Sequence, residues 1–140
     1  QKIRMSRGRF GMQLVPYKET RSFLEHCQGK PAMTIFAIDQ SPNSASRCHW
    51  MTFLHQDTGV PFGLEKFAKE FDAPVIFCRL DKVKRGHYAV SLELLTDQPV
   101  AMPDSWIIES ATRKLEGVIR EVPQYWLWSH KRWKLKRPKT

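Results

Sequence analysis

No stretch of this 140-residue chain stays apolar for the roughly 18–20 residues that a bilayer-spanning helix needs, so no transmembrane segment is expected within it. No signal-peptide pattern is visible either. Cysteine is scarce: Cys27, Cys48 and Cys78 are scattered, odd in number and without metal-ligand spacing. They are expected to be reduced thiols, on a cytoplasmic face. Histidine pairs at zinc spacing are missing, so no metal is expected. Ser44, Ser46, His49 and Asp57 have the chemistry of a hydrolase triad, but there is no G-x-S-x-G nucleophile turn to organise them. Repeats and low-complexity segments are absent. Acidic residues are few, 14 against 23 Lys and Arg, which leaves a net charge of +9. That balance favours an anionic partner: phospholipid, nucleic acid or an acidic protein. A start methionine is lacking too. Gln1 stands inside a basic stretch, and a fragment of a longer protein is the expectation.

What is present is enough for a core. Hydrophobic residues make up 41% of the chain, and the length suits one domain. Residues 1–11, "QKIRMSRGRFG", are basic and Gly-punctuated and read as a loop or a short strand approach. Tyr17, Phe23, Leu24 and Cys27 fall near helical spacing, which predicts a short helix over 17–28. "AMTIFAID" (32–39) is a continuous apolar run of the length and composition of a buried strand. "DQSPNSASR" is a loop by turn chemistry. "CHWMTFL" (48–54) fits a second, shorter strand. Leu64, Phe67, Ala68 and Phe71 repeat at i, i+3, i+4, i+7 and predict an amphipathic helix over about 60–71. "PVIFCRL" (74–80) reads as a buried strand, "DKVKRG" as a charged turn, and "HYAVSLELL" (87–95) as an alternating edge strand. "DSWIIESATRKLEGVIREVP" is the clearest helix, capped by Asp104 or Ser105 and stopped by Pro123, with Ile108, Ala111, Leu115 and Val118 as its core stripe and Ile107 and Ile119 beside them. This order predicts an α/β fold: a layered sandwich with a mixed, mostly parallel sheet flanked by helices.

Four segments carry chemistry. In "PQYWLWSHKRWKLKRP" (123–138) the tryptophans suit a bilayer interface with basic residues on lipid phosphate, or else they fill the domain core. Aromatic stacking with a basic track also suits nucleic acid, which ranks below lipid because no recognisable RNA or DNA module surrounds it. In "AIDQSP", Asp39 ends an apolar run, where α/β sheets place ligand sites, or it caps its own loop near Ser41. In "QDTGVPFGLEK", glycines precede a helix start, either as an anion site or as an entry loop. In "RMSRGRFG", Arg4, Arg7 and Arg9 offer bidentate contacts to phosphate or carboxylate, or are solvated charge.

Taken together, "RGRFG", "FAIDQSP", "FLHQDTGVPFGLEKFAKEFDAPVIF", "RGHYAVSLELL" and above all "PQYWLWSHKRWKLKRP" resemble the bacterial lipid A biosynthesis acyltransferases, the lauroyl/myristoyl branch of the lysophospholipid acyltransferases. The resemblance runs over nearly the whole chain and corresponds to the family's C-terminal half. It implies that residues 1–140 are the C-terminal portion of a single acyltransferase domain, with 123–140 as an aromatic and basic tail. Members carry a catalytic His-x4-Asp/Glu pair. The residues five after His26, His49, His55, His87 and His130 are Pro31, Leu54, Val60, Leu92 and Leu135, none of them acidic. No catalytic residue is therefore expected in this chain, and the 140 residues alone are expected to be inactive. The resemblance implies transfer of a fatty acyl chain from an acyl thioester to a hydroxyl of a lipid A precursor or related glycolipid. The donor is acyl carrier protein or CoA, with no bound cofactor. Arg7 and Arg9 would hold a phosphate. Asp39 and Gln40 would shape the acceptor side, and Thr58 to Gly63 would line a cleft. Trp126, Trp128, Lys131, Arg132 and Lys134 would seat the domain on the cytoplasmic face of the inner membrane, peripherally or through an anchor. Two other classes fit the same surface: a non-catalytic module for anionic lipid or nucleic acid, and an acyltransferase acting on an aminolipid.

Overall fold

A computed structural model describes the backbone of residues 2–138 and the side chains from Met5 to Pro138. The chain divides into two compact units, Gln1–Ile35 and Phe36–Thr140.

The first unit is helical. Helix α1 spans Lys2–Gly8, where a loop or strand approach was expected. Nothing from Lys2 to Arg7 interrupts helical backbone, and Gly8 and Gly11 then turn the chain, Gly11 at φ 86°. A 3₁₀ turn at Tyr17–Glu19 runs into α2, Thr20–Cys27. The helix expected over 17–28 is thus present. Gly29, at φ 73°, and Pro31 follow it, the punctuation that ends helices.

The apolar run 32–39, expected as a strand, spans the boundary between the two units, and here the expectation fails. Among the described residues 32–38 form no strand. Met33 and Ile35 lie open to solvent, while Ile38 packs against the buried residues Met51, Val60 and Ile108. Phe36 stacks on Phe67 at 6.0 Å between ring centroids. An apolar run becomes a strand only where another strand takes up its backbone N–H and C=O groups.

Strands β1 (Cys48–Phe53) and β2 (Gln56–Pro61) are antiparallel neighbours. Leu54 and His55 join them, both at positive φ (47° and 64°), the backbone sign a type I′ hairpin turn demands. The glycine-punctuated stretch expected to lead into a helix is therefore mostly strand. Gly59 sits opposite Trp50 in the register. A Cβ there would lie 2.7 Å from the Cys48 Sγ, so this position takes glycine for close approach. Helix α3, Gly63–Glu70, buries Phe67 and Ala68 as its periodicity predicts, and ends ahead of Asp72, at φ 46°, and Pro74. Strands β3 (Val75–Lys84) and β4 (His87–Thr96) form a second antiparallel pair around Arg85–Gly86. The strand reading of these segments holds, but β3 runs on through the charged stretch expected as a turn.

Both sheets are two-stranded and antiparallel, and the mostly parallel sheet expected from the alternation of elements is not seen among the described residues. The connections decide this. Two-residue links allow only antiparallel return, whereas parallel strands need a crossover of a dozen residues or more. The α/β class itself holds.

Helix α4, Trp106–Glu121, lies against β1, β2, α3, β3 and β4. Ile108 joins Met51 and Val60 in one core cluster, Ile107 joins Ala68 and Val75 in another, and Leu64 packs against both. The buried face is rotated from the expected stripe. Leu115 and Val118 are only half buried, while Thr112, Glu116 and Ile119 are fully inside. Ile107 and Ile119, expected beside the stripe, are buried on that face, whereas a purely apolar search misses its polar members Thr112 and Glu116. Thr112 Oγ1 satisfies itself by donating to the Ile108 carbonyl at 2.7 Å.

Glu116 accepts from Arg113 and Arg120, each at 2.7 Å, and from the Leu54 N–H at 3.1 Å, so α4 holds the hairpin turn. Burial pushes its carboxyl up, but the bonds from Arg120, Arg113 and Leu54 outweigh that and hold it below the ordinary glutamate value. The depressed value sets the sign of a pH effect. The contribution is fully present above the unfolded carboxyl value and is lost as pH falls through the folded one. Denaturation midpoints followed from about pH 6 to about pH 3 should fall less steeply in Glu116→Gln than in the wild type. Equal slopes would show that Glu116 does not carry this acid sensitivity.

The outer face of the β3–β4 ribbon stays uncovered. Ile76, Leu80, Val90, Leu92 and Leu94 are all exposed on it. Its inner face is tied to α4 through Arg79–Glu121 and Lys114–Glu93, both at 2.6 Å.

Candidate functional site

The closing segment after α4 does not continue as a helix. A 3₁₀ turn at Pro123–Tyr125 is followed by tight turns. Two of these close between residues two apart: Trp128 N–H donates to the Trp126 carbonyl at 2.9 Å, and Arg132 N–H to the His130 carbonyl at 2.7 Å. Leu127 and Lys131 are the middle residues of these turns, and both are exposed.

From there the segment runs along β2. Arg132 Nη1 donates to the Gly59 carbonyl at 2.9 Å. Trp133 Nε1 donates to Thr58 Oγ1 at 2.8 Å. Arg137 grips Asp57 with two bonds, 2.6 and 3.0 Å. Three consecutive β2 residues thus each hold one tail residue. Beneath them the fully buried Phe53 ring meets Trp126 at 6.2 Å and Trp133 at 6.5 Å, and the Arg132 guanidinium lies 5.7 Å from its centroid. This is a basic, aromatic strap over a hairpin, built from cation–π and aromatic contacts.

Arg132 is the centre of the arrangement. It is only 2% exposed. Burial pulls its guanidinium below the ordinary value, and the nearby Asp39 carboxylate and the Cys48 sulfur pull the other way. Arginine stays charged under such a load. Its Nε–H is the one buried side-chain polar atom without a partner among the described residues. Burial also raises the Cys48 thiol, against the pull of Arg132. The protonated Sγ donates to the Ala45 carbonyl at 3.1 Å.

Asp39 is half buried and Gln40 exposed. The next residue, Ser41, donates its backbone N–H to His130 Nε2 at 3.0 Å. The strap therefore reaches the Asp39–Gln40 segment as well as the hairpin.

The positions singled out in the sequence separate as follows. Asp39, Gln40, Thr58 and Arg132 are brought to one region of the second unit, connected through His130, Arg132 and Trp133. Thr58 is buried and its hydroxyl is engaged twice, with Trp133 and with the Gln56 carbonyl. Gly63 opens α3. Trp126 is half buried on Phe53, whereas Trp128, Lys131 and Lys134 are exposed. Trp128 keeps its Nε1 on the Pro123 carbonyl at 2.8 Å. Beside it Tyr125 and Leu127 are exposed, and Lys82 Nζ lies 5.8 Å from the Tyr125 ring. Arg7 and Arg9 are exposed in the first unit, and Arg9 lies against the Phe10 ring at 5.4 Å. The Arg4 side chain lies outside the described residues.

The residues with triad chemistry are occupied separately. Ser44 bonds Ser46, Asp57 bonds Arg137, and His49 Nε2 lies 2.6 Å from Glu109 on α4. No cluster of His, Cys, Asp and Glu suited to a metal is found among the described residues. Sequence reading overlooked Asp57 as a strap anchor and His130 as a loop contact, because nothing in local spacing links residues some 80 positions apart.

The model of one protein family, described as bacterial lipid A biosynthesis acyltransferase, matches residues 1–135. Neither a curated protein nor a solved structure gives a significant match.

Proposed function

Because the chain belongs to the bacterial lipid A biosynthesis acyltransferase family, we propose that it serves transfer of a fatty acyl chain from an acyl thioester to a hydroxyl of a lipid A precursor or related glycolipid. In that reaction the acyl C–S bond breaks, an ester C–O bond forms, and the hydroxyl proton ends on the departing thiol. The donor is acyl carrier protein or acyl-CoA, both anionic and matched to a chain of net charge +9. The sequence has no His-x4-Asp/Glu pair. On this reading the imidazole that takes the proton is supplied from outside these 140 residues, which by themselves are inactive.

One observation carries the local assignment: the strap places a buried cation, Arg132, beside the Asp39–Gln40 segment. Asp39 and Gln40 then present a carboxylate and an amide to the sugar side of the acceptor. Thr58, which holds Trp133 of the strap, and Gly63, which opens α3, line the cleft. Arg7 and Arg9 supply phosphate contacts. On the outer side of the strap, Trp128, Lys131 and Lys134 face the cytoplasmic leaflet of the inner membrane, with Tyr125 and Leu127 extending the aromatic patch. Trp126 adds to this surface through its half-exposed edge.

Lipids from cells lacking the gene, read by mass spectrometry, test the reaction. Loss of one acyl chain from lipid A is expected, and a lipid A with its full acyl complement would sink the assignment. The membrane surface is tested by vesicle flotation. Each basic residue near an anionic surface contributes about 1 kcal/mol, so Lys131→Gln together with Lys134→Gln should weaken binding to phosphatidylglycerol vesicles by about thirtyfold. Unchanged flotation would remove those two lysines from the contact.

A further inference from the structure

The segment around Asp39 is held by packing at Phe36, Ile38 and the buried Pro42, and by few hydrogen bonds. Residues 36–43 belong to no helix or strand. Ile38 anchors one end in the core. Beyond it, the Ser41 N–H to His130 Nε2 bond, 3.0 Å across 89 positions of sequence, is the hydrogen bond that joins this stretch to another element among the described residues. The acceptor must be an imidazole nitrogen with a free lone pair. Since Nε2 accepts, the ring is neutral and carries its proton on Nδ1. His130 and Arg132 flank the three-residue turn over Lys131, and each reaches the segment by its own contact. The strap therefore meets the segment at two points: a neutral acceptor on the Ser41 amide and a buried cation near the Asp39 carboxylate.

We propose that His130 is a positioning residue, whose unprotonated Nε2 fixes the Asp39–Gln40 backbone in the orientation that receives the acceptor. This rests on the acyl-transfer reading above. His130 touches no reacting atom and acts through Asp39 and Gln40. If Nε2 takes up a proton it becomes a donor facing a donor, and the Ser41 contact opens. Nearby, the Asp39 carboxylate on the segment and the Arg132 guanidinium on the strap attract one another. Opening leaves Asp39 with the attraction of Arg132 alone, and Gln40 without a fixed backbone.

Two substitutions separate positioning from bulk. Glutamine carries a carbonyl oxygen at about the reach of Nε2, whereas phenylalanine keeps the ring and has no acceptor. In the 140-residue chain, the Ser41 amide should exchange with solvent slowly at neutral pH. His130→Phe should exchange fast at every pH, and His130→Gln should stay slow across the range. In the full gene product, His130→Phe should raise KM for the glycolipid acceptor roughly ten- to hundredfold with kcat much less changed, and His130→Gln should restore it.

Ser41 exchange indifferent to His130→Phe would overturn the contact. A glutamine variant no better than phenylalanine, or kcat, KM and melting temperature falling in parallel, would overturn positioning and leave a structural histidine. Wild-type protein that transfers no acyl group to glycolipid would overturn the reading beneath the proposal, and would do so whatever the exchange data show.

Discussion

Glu65→Ala is expected to destabilise the second unit by about 3–5 kcal/mol, as much as truncating a large core side chain. Glu65 is fully buried on α3. Its two carboxylate oxygens accept the backbone N–H groups of Ser105, at 2.5 Å, and Ile108, at 3.1 Å. These are donors at the start of α4, where helical N–H groups have no partner within the helix. Lys69 stands 3.5 Å from the same carboxylate. Alanine would orphan both amides, remove an anion from the positive end of a helix and leave a void between α3 and α4. Glutamine keeps the shape and one good acceptor, and should lose about half as much. The expected cap residues behave differently. Ser105 makes no side-chain cap bond, and Asp104 is drawn out to Lys69 at 2.8 Å. Asp104→Ala should therefore barely move the midpoint of urea denaturation. If Asp104→Ala and Glu65→Ala cost the same, the cap is local and this account of α4 fails.

Arg132→Ala is expected to cost about 2–4 kcal/mol, and Arg132→Met to recover most of that loss. The alanine variant empties the space over Phe53 and strips the Gly59 carbonyl of its donor. The methionine variant refills the space and removes a buried cation whose Nε–H is unsatisfied. Taking a guanidinium out of water is expensive, and an apolar replacement of similar volume is often neutral. If stability were the reason for an arginine here, methionine would fail as badly as alanine. Paired urea titrations read the difference. The expected outcome is a stable Arg132→Met chain in which acyl transfer by the full gene product is nonetheless impaired. Full activity in Arg132→Met would detach the cation from the acceptor side.

Both results turn on contacts between residues far apart in sequence, and that marks the limit of sequence reading for this chain. Helices α2, α3 and α4 were legible because apolar residues at 3.6-residue spacing and Gly or Pro boundaries are local signals. Strand β4 was legible from strict alternation. Strand β2 was not, since "QDTGVP" carries a glycine and a proline that argue against a strand. Its partner β1 and the positive-φ turn at Leu54 and His55 override them. The run at 32–39 failed in the opposite sense. Its composition fits a buried strand, but strand formation depends on a partner backbone, which local composition does not specify.

The candidate site divides the same way. Asp39 and Gln40 were visible as a polar pair ending an apolar run, and the closing aromatic and basic stretch was visible by composition. Whether each indole or guanidinium turns inward was not. Trp133 and Arg132 face β2, while Trp128 and Lys131 face outward, though all four lie within six residues of each other. The sequence by itself determined the family, through motifs that run along the chain, along with the net charge and the periodic helices. Only the tertiary structure decided that the terminal basic segment straps a hairpin and reaches the Asp39 loop. A tryptophan or arginine is at home in either environment, and the choice is made by the acceptors that distant residues Ser41, Thr58 and Gly59 bring within hydrogen-bond or contact range.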